Sequence, residues 1–214
     1  MSAHVPRAPI RVVLASAIAA CAVAVVIAPA TRAVAATKTI ANERYRYAVA
    51  LPAGCRLEEG PGTVDAVCAQ DFDPERSALA SSATALVMEV GAEVVAGDAD
   101  RSAGELAQRY DEAAFRQEVP QAVCGESDPS RARINNVKQT LEDTRVAYTA
   151  DVICAEVRFL QIAERRASVR YVIGPEARYR LVARAPIEEF EKQKLAIEAF
   201  FESFRVLPVE KQNQ

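Results

Sequence analysis

The chain has 214 residues, a mass of 23.1 kDa and a formal net charge of −3, with 50% hydrophobic, 26% charged and 6% aromatic residues. Such a composition can bury a core and carries too many charges for a multi-span membrane protein, which excludes a disordered tail, a collagen and a bundle of spans. The acidic balance nominates neither a nucleic acid nor an anionic membrane surface as partner.

The first 36 residues hold Arg7, Arg11 and Arg32, no acid, and His4, the one histidine of the sequence. Arg7 and Arg11 precede a charge-free run from Val12 to Ala28, the layout of a secretory signal, and Ala33-Val34-Ala35 before Ala36 fits the small-x-small rule for cleavage. Ala28-Pro29-Ala30 is a second cleavage candidate. An uncleaved anchor is one alternative; a lipobox, Ile18-Ala19-Ala20-Cys21, with Cys21 lipidated, is another. The membrane is a partner only in those two cases. All three readings place the domain outside the cytoplasm, in the periplasm or the medium. Without residues 1–36, Lys+Arg falls from 26 to 23 while Asp+Glu stays at 29, leaving a charge of −6 and no imidazole.

Four cysteines then remain: Cys55, Cys68, Cys124 and Cys154. An even number in an oxidising compartment reads as two structural disulfides, and local bracketing favours Cys55 with Cys68 and Cys124 with Cys154. There is no C-x-x-C pair and no histidine partner for a metal, so no cofactor or metal is expected.

In chain order, Tyr45 to Leu51 alternates as a half-buried strand and meets the turn Pro52-Ala53-Gly54. Gly60-Pro61-Gly62 is a second turn and Thr63 to Ala69 a returning strand, the two strands making a hairpin for Cys55 and Cys68 to staple. A loop through Asp71, Asp73, Pro74 and Glu75 leads to a third strand, Ala83 to Val95, broken by Gly97-Asp98-Ala99-Asp100. Ser102 with Glu105 is a capping box, opening a helix from Ala103 to Arg116 that stops before Pro120. Gln121 to Arg133 is rich in turn formers and reads as a surface loop. Strands follow at Ile134–Thr140, Arg145–Cys154 and Glu156–Ala163, then a pair at Arg166–Ile173 and Arg178–Ala185. Pro186 opens a last helix, Ile187 to Phe204, with Ile187, Phe190, Ile197, Phe201 and Phe204 as one apolar stripe. The expected fold is therefore α+β: a single antiparallel sheet over residues 37–208 packed against a mid-chain helix and a C-terminal amphipathic helix, with a disordered tail at 209–214.

A strand ending in Leu51-Pro52, a sheet interrupted by one helix, a final strand Tyr179 to Ala185 and an amphipathic helix running into Ser203-Phe204-Arg205 resemble the PsbP-like superfamily. The resemblance covers roughly Tyr45 to Pro208 and implies a binding or accessory domain, with no catalytic residues to carry over.

Chemistry based on imidazole is absent from the mature chain, and there is no Walker loop or glycine fingerprint for a dinucleotide. A carboxylate pair drawn from Asp71, Asp73, Glu75, Asp98 and Asp100 keeps open an envelope hydrolase, although turn chemistry already explains acids beside Pro and Gly. The pattern points instead to arginines. Arg166 and Arg170 alternate with Ala167, Val169, Tyr171 and Ile173; Arg178, Arg180 and Arg184 alternate with Tyr179, Leu181, Ala183 and Ala185. If both apolar sets face one core, paired residue numbers sum to an even number, as in 170 with 180, and arginine stands opposite arginine. Such an arginine-rich face would meet internal carboxylates or read an acidic protein partner or an anionic envelope ligand.

Overall fold

The computed structural model describes residues 37–68, 85–125, 131–158 and 161–208. The expected export segment at 1–36, the expected tail at 209–214 and the loop acids Asp71, Asp73 and Glu75 lie outside the described residues.

The strands form two antiparallel sheets rather than the expected one. In the smaller, β1 (Thr37–Asn42) and β2 (Tyr47–Pro52) form a hairpin, and β10 (Arg205–Val206) pairs with the free side of β2. Ala48 lies opposite both Ala41 and Arg205, so the backbone of β2 is used on both sides and β2 is the central strand of the smaller sheet. Alternation in β2 buries Tyr47, Val49 and Leu51.

The larger sheet runs β3 (Arg56–Gly60), β4 (Thr63–Cys68), β5 (Leu86–Val94), β9 (Ala177–Pro186), β8 (Gln161–Ile173), β7 (Arg145–Arg158) and β6 (Ala132–Glu142). The returning strand Thr63–Cys68 thus takes Arg56–Gly60 as its hairpin partner, not Tyr45–Leu51. The expected strand Glu156–Ala163 is a hairpin instead: Glu156 pairs with Ala163 and Val157 with Ile162, so β7 and β8 are each longer than the pattern suggested.

Both faces of this sheet carry a core. On one, Leu86, Met88, Val90, Val172, Tyr179, Leu181, Ala183 and Ala185 pack with the buried side chains of β2 and of two C-terminal helices, α3 (Ile187–Lys192) and α4 (Lys194–Ser203). On the other, Val146, Tyr148, Val152, Ala167, Val169, Tyr171 and Ile173 pack under α1 (Ala103–Arg109), α2 (Glu112–Val119) and a π-helical turn at Pro120–Cys124.

The two helical expectations both break in the middle. The Ser102–Glu105 capping box opens α1, but the Asp111 side chain accepts from the Ala114 N–H at 2.8 Å and starts α2 afresh. The chain continues past Pro120 into the π-helical turn, which ends at Gly125, where φ is +67°. Gln121 to Cys124 is therefore helical and not loop, and Val123 is buried. The last helix breaks at Gln193, and the buried face is Phe190, Ile197, Phe200 and Phe204, while Ile187 is 38% exposed and Phe201 only partly covered. Ser203 ties α4 to the smaller sheet, its hydroxyl accepting the Ala50 N–H of β2 at 2.9 Å and donating to the Phe200 carbonyl at 2.8 Å.

Candidate functional site

The β8–β9 register decides where the five candidate arginines go. The turn closes on Pro175 and Glu176, with the Gly174 N–H donating to the Ala177 carbonyl at 2.9 Å, and this two-residue loop sets Arg166 opposite Ala185, Arg170 opposite Leu181, Tyr171 opposite Arg180, Ala167 opposite Arg184 and Ile173 opposite Arg178. Paired numbers sum to an odd value. The single arginine face is thereby corrected: Arg166 and Arg170 lie on one side of the sheet and Arg178, Arg180 and Arg184 on the other. The alternation within each strand is as read; the error lay in assuming one core, whereas the apolar sets of β8 and β9 belong to two.

Each of the five has a partner within the chain. Arg178 pairs with Glu118 of α2 at 2.8 Å and lies 4.9 Å over the Tyr110 ring; Arg184 donates to the Val123 carbonyl of the π-helical turn at 3.0 Å; Arg180 pairs with Glu89 of β5. The first two fasten the α1–α2 layer to the sheet. On the other face, Arg166 pairs with Glu191 and stacks 4.9 Å over Phe190, both of α3, and Arg170 pairs with Glu142 at 2.7 Å.

Asp98 is withdrawn from any carboxylate pair. It is 0% exposed and accepts from Arg101 at 2.6 Å, Arg109 at 2.7 Å and Tyr110 at 3.0 Å. Burial pushes its pKa up, but the hydrogen bonds from Tyr110 and Arg101 and the charges of Arg109 and Arg101 outweigh this and hold the carboxyl below its ordinary value. Asp100 is exposed. Cys55 is bonded to Cys68 and Cys124 to Cys154, the pairing read from local bracketing. The first ties the start of β3 to the end of β4, and the second ties the π-helical turn to β7.

An open groove of about 620 Å³ lies on the Arg170 face, over the part of β6, β7 and β8 that α4 does not cover. Lys138, Thr140 and Glu142 come from β6, Thr149 and Asp151 from β7, Ser168 and Arg170 from β8, and Phe201 and Glu202 of α4 form a wall. Strand alternation puts them there: Val146, Tyr148, Ala150 and Val152 point to the opposite core, leaving the intervening Thr149 and Asp151 on this side. The register between β6 and β7 shifts after Asn135, and Asn136, at φ +53°, sends its side chain to Asp151 at 2.9 Å. Ser168 donates to the other Asp151 oxygen at 3.1 Å. Of these residues the sequence reading singled out Arg170; the alternation of polar residues in three neighbouring strands is the signal that would have found the rest.

A second arrangement also escaped the sequence reading. Asp65 on β4 stands opposite Glu89 on β5, and one Asp65 oxygen is buried with no hydrogen bond among the described residues. Burial, then the Glu89 charge, pushes its pKa up against the pull of Arg184 and Arg180.

No protein-family model matches the chain, and no curated protein matches it. Solved structures do. LpqN of Mycobacterium tuberculosis, described as involved in cell envelope biogenesis, is 12% identical with a TM-score of 0.52, over 81% of this chain and 91% of its own. Cyanobacterial PsbP from Synechocystis is 17% identical with a TM-score of 0.47, over 82% and 95%. A protein of unknown function from Pseudomonas aeruginosa is 7% identical with a TM-score of 0.46, over 81% and 99%. At these identities the likeness is one of fold: the chain shares the α+β fold of LpqN.

Proposed function

We propose that this chain is an exported, non-catalytic binding or accessory domain whose recognition surface is the groove over β6, β7 and β8, where Arg170 and Lys138 meet acidic groups of a protein partner or an anionic envelope ligand. Export is supported by two disulfides behind an arginine-flanked apolar leader. The absence of catalysis is supported by the engagement of Asp98 with three donors and by a mature sequence without histidine.

The observation that carries the reading is Arg170 in the groove. Its guanidinium is neutralised by Glu142, whose side chain is itself 39% exposed. An incoming carboxylate competes with Glu142 for the Arg170 guanidinium, against the charges of Asp151 and Glu202 in the same lining, so removing the Glu142 charge is what should favour it. Arg178, Arg180 and Arg184 hold α2, the π-helical turn and β5 on the opposite face, and Arg166 holds α3 while lying 3.8 Å from Asp151 at the edge of the groove.

The test is titration of the mature chain with a hexaglutamate peptide at low salt. Glu142→Gln frees Arg170 and should tighten binding roughly fivefold, the equivalent of about 1 kcal/mol. Arg170→Ser should weaken it, and salt should weaken the wild type. Equal affinity in all three proteins would reject the reading.

A further inference from the structure

Three turns meet at a second, smaller pocket of about 200 Å³: the β1–β2 turn brings Arg46, the β6–β7 turn brings Thr144 and Arg145, and the β8–β9 turn brings Gly174 and Glu176, with Tyr179 beside them. Arg46 is fixed. It sits at φ +57°, a region side chains rarely adopt; its carbonyl accepts the Leu207 N–H at 2.7 Å, its guanidinium donates to the Leu207 carbonyl at 3.2 Å, and it pairs with Glu176.

Arg145 is different. Its stem lies along the β8–β9 turn, where a Cβ on Gly174 would come within 3.5 Å of Arg145 Cγ. Its guanidinium makes no hydrogen bond or ion pair among the described residues. Glu142, opposite it in the ladder, is turned to Arg170, and Asp143 next to it is exposed and forms no pair with it. Burial raises the Tyr179 phenol pKa while both Arg46 and Arg145 lower it, so both cations act on one point. Two guanidiniums therefore share a pocket with one carboxylate, leaving an excess positive charge in a concave site. A pocket that holds an uncompensated cation beside a half-compensated one is built for an anion with several acceptor oxygens.

We propose that this pocket is an oxyanion site, in which Arg145 and Arg46 take up a phosphate or carboxylate group carried by a small soluble molecule or a lipid headgroup. Arg145 supplies the free donors and Arg46 the second cation, with Glu176 as the internal competitor. The site is separate from the groove and does not depend on it.

The experiment follows arginine Nε–H and backbone amide NMR signals of the mature chain while inorganic phosphate, acetate or glycerol phosphate is added at constant ionic strength. Saturable shifts centred on Arg145 and Gly174 are expected. Arg145→Gln should weaken binding at least tenfold, Arg145→Lys less, and Glu176→Gln should tighten it severalfold. Arg133→Ser, which removes an exposed arginine paired to Glu164, should change nothing. Co-sedimentation with phosphatidylglycerol against phosphatidylcholine vesicles separates the sources: Arg145-dependent capture by the former marks a headgroup, and binding of the small anions alone marks a soluble ligand. Shifts that do not saturate, or an equal loss in Arg133→Ser and Arg145→Gln with both folded, would overturn the site.

Discussion

Tyr171 and Arg180 stand directly opposite each other in the β8–β9 ladder, and Arg180 pairs with Glu89 on the next strand. One step along, Arg170 stands opposite Leu181 and turns to the other face, to Glu142. The two arginines share neither a sheet face nor a partner, so the ladder holds no repulsion between them.

Arg170→Ser and Arg180→Ser should accordingly be additive. The double variant's stability loss, measured by urea unfolding, should equal the sum of the single losses within about 0.5 kcal/mol. A double variant more stable than either single one would show a repulsion that this register excludes.

The break at Gln193 gives a second outcome. Phe200, 1% exposed, should cost about 3–5 kcal/mol when changed to Ala, the range for a buried aromatic. Phe201, at the groove wall, should cost clearly less, and the ratio of the two in the same denaturation experiment checks which ring closes the core.

Asp98 and Asp65 should shape the acid limb of the stability curve with opposite signs. The Asp98 carboxyl lies below its ordinary pKa in the folded chain, so its contribution is present above about pH 4 and is lost as pH falls through the folded value. Asp98→Asn should cost about 2 kcal/mol at neutral pH, with the difference closing in acid. Asp65 is raised, so its charging opposes folding above the folded pKa and not below about pH 4. Asp65→Asn should stabilise at pH 7 and lose that advantage on acidification, as a pH series of thermal unfolding will show.

Thiol titration of the denatured, unreduced chain should find Cys55, Cys68, Cys124 and Cys154 all unreactive, Cys21 being the one thiol left to react where residues 1–36 are retained. Loop entropy gives about 3 kcal/mol for the first bridge and about 3.7 kcal/mol for the second, so Cys124→Ser/Cys154→Ser should be the more damaging pair.

What could be read in advance was local. Alternation located β2, β4, β5 and the two long strands of the arginine hairpin, the Ser102–Glu105 box located α1, and bracketing located both bridges. What could not be read was relational. Nothing local distinguishes a two-residue loop at Pro175–Glu176 from a three-residue one, and that single residue moves Arg178, Arg180 and Arg184 to the other side of the sheet. A sheet buried on both faces assigns neighbouring strands' apolar sets to different cores, and its local mark is a break in alternation: Val172 and Val182 are buried on the faces that the arginines otherwise hold. The groove stayed hidden for the same reason: Thr149, Asp151 and Ser168 read as ordinary polar alternation until α4 is seen to leave them uncovered.

The most direct measurement is the map of amide chemical-shift changes on the ¹⁵N-labelled mature domain as hexaglutamate is added at low salt. Shifts concentrated at Lys138, Thr149, Ser168 and Arg170, enlarged in Glu142→Gln and reduced in Arg170→Ser at the same peptide concentration, are the predicted result. Shifts centred on Glu89, Arg178 and Arg180 of the opposite face, or none at saturating peptide, would contradict the groove as the recognition surface.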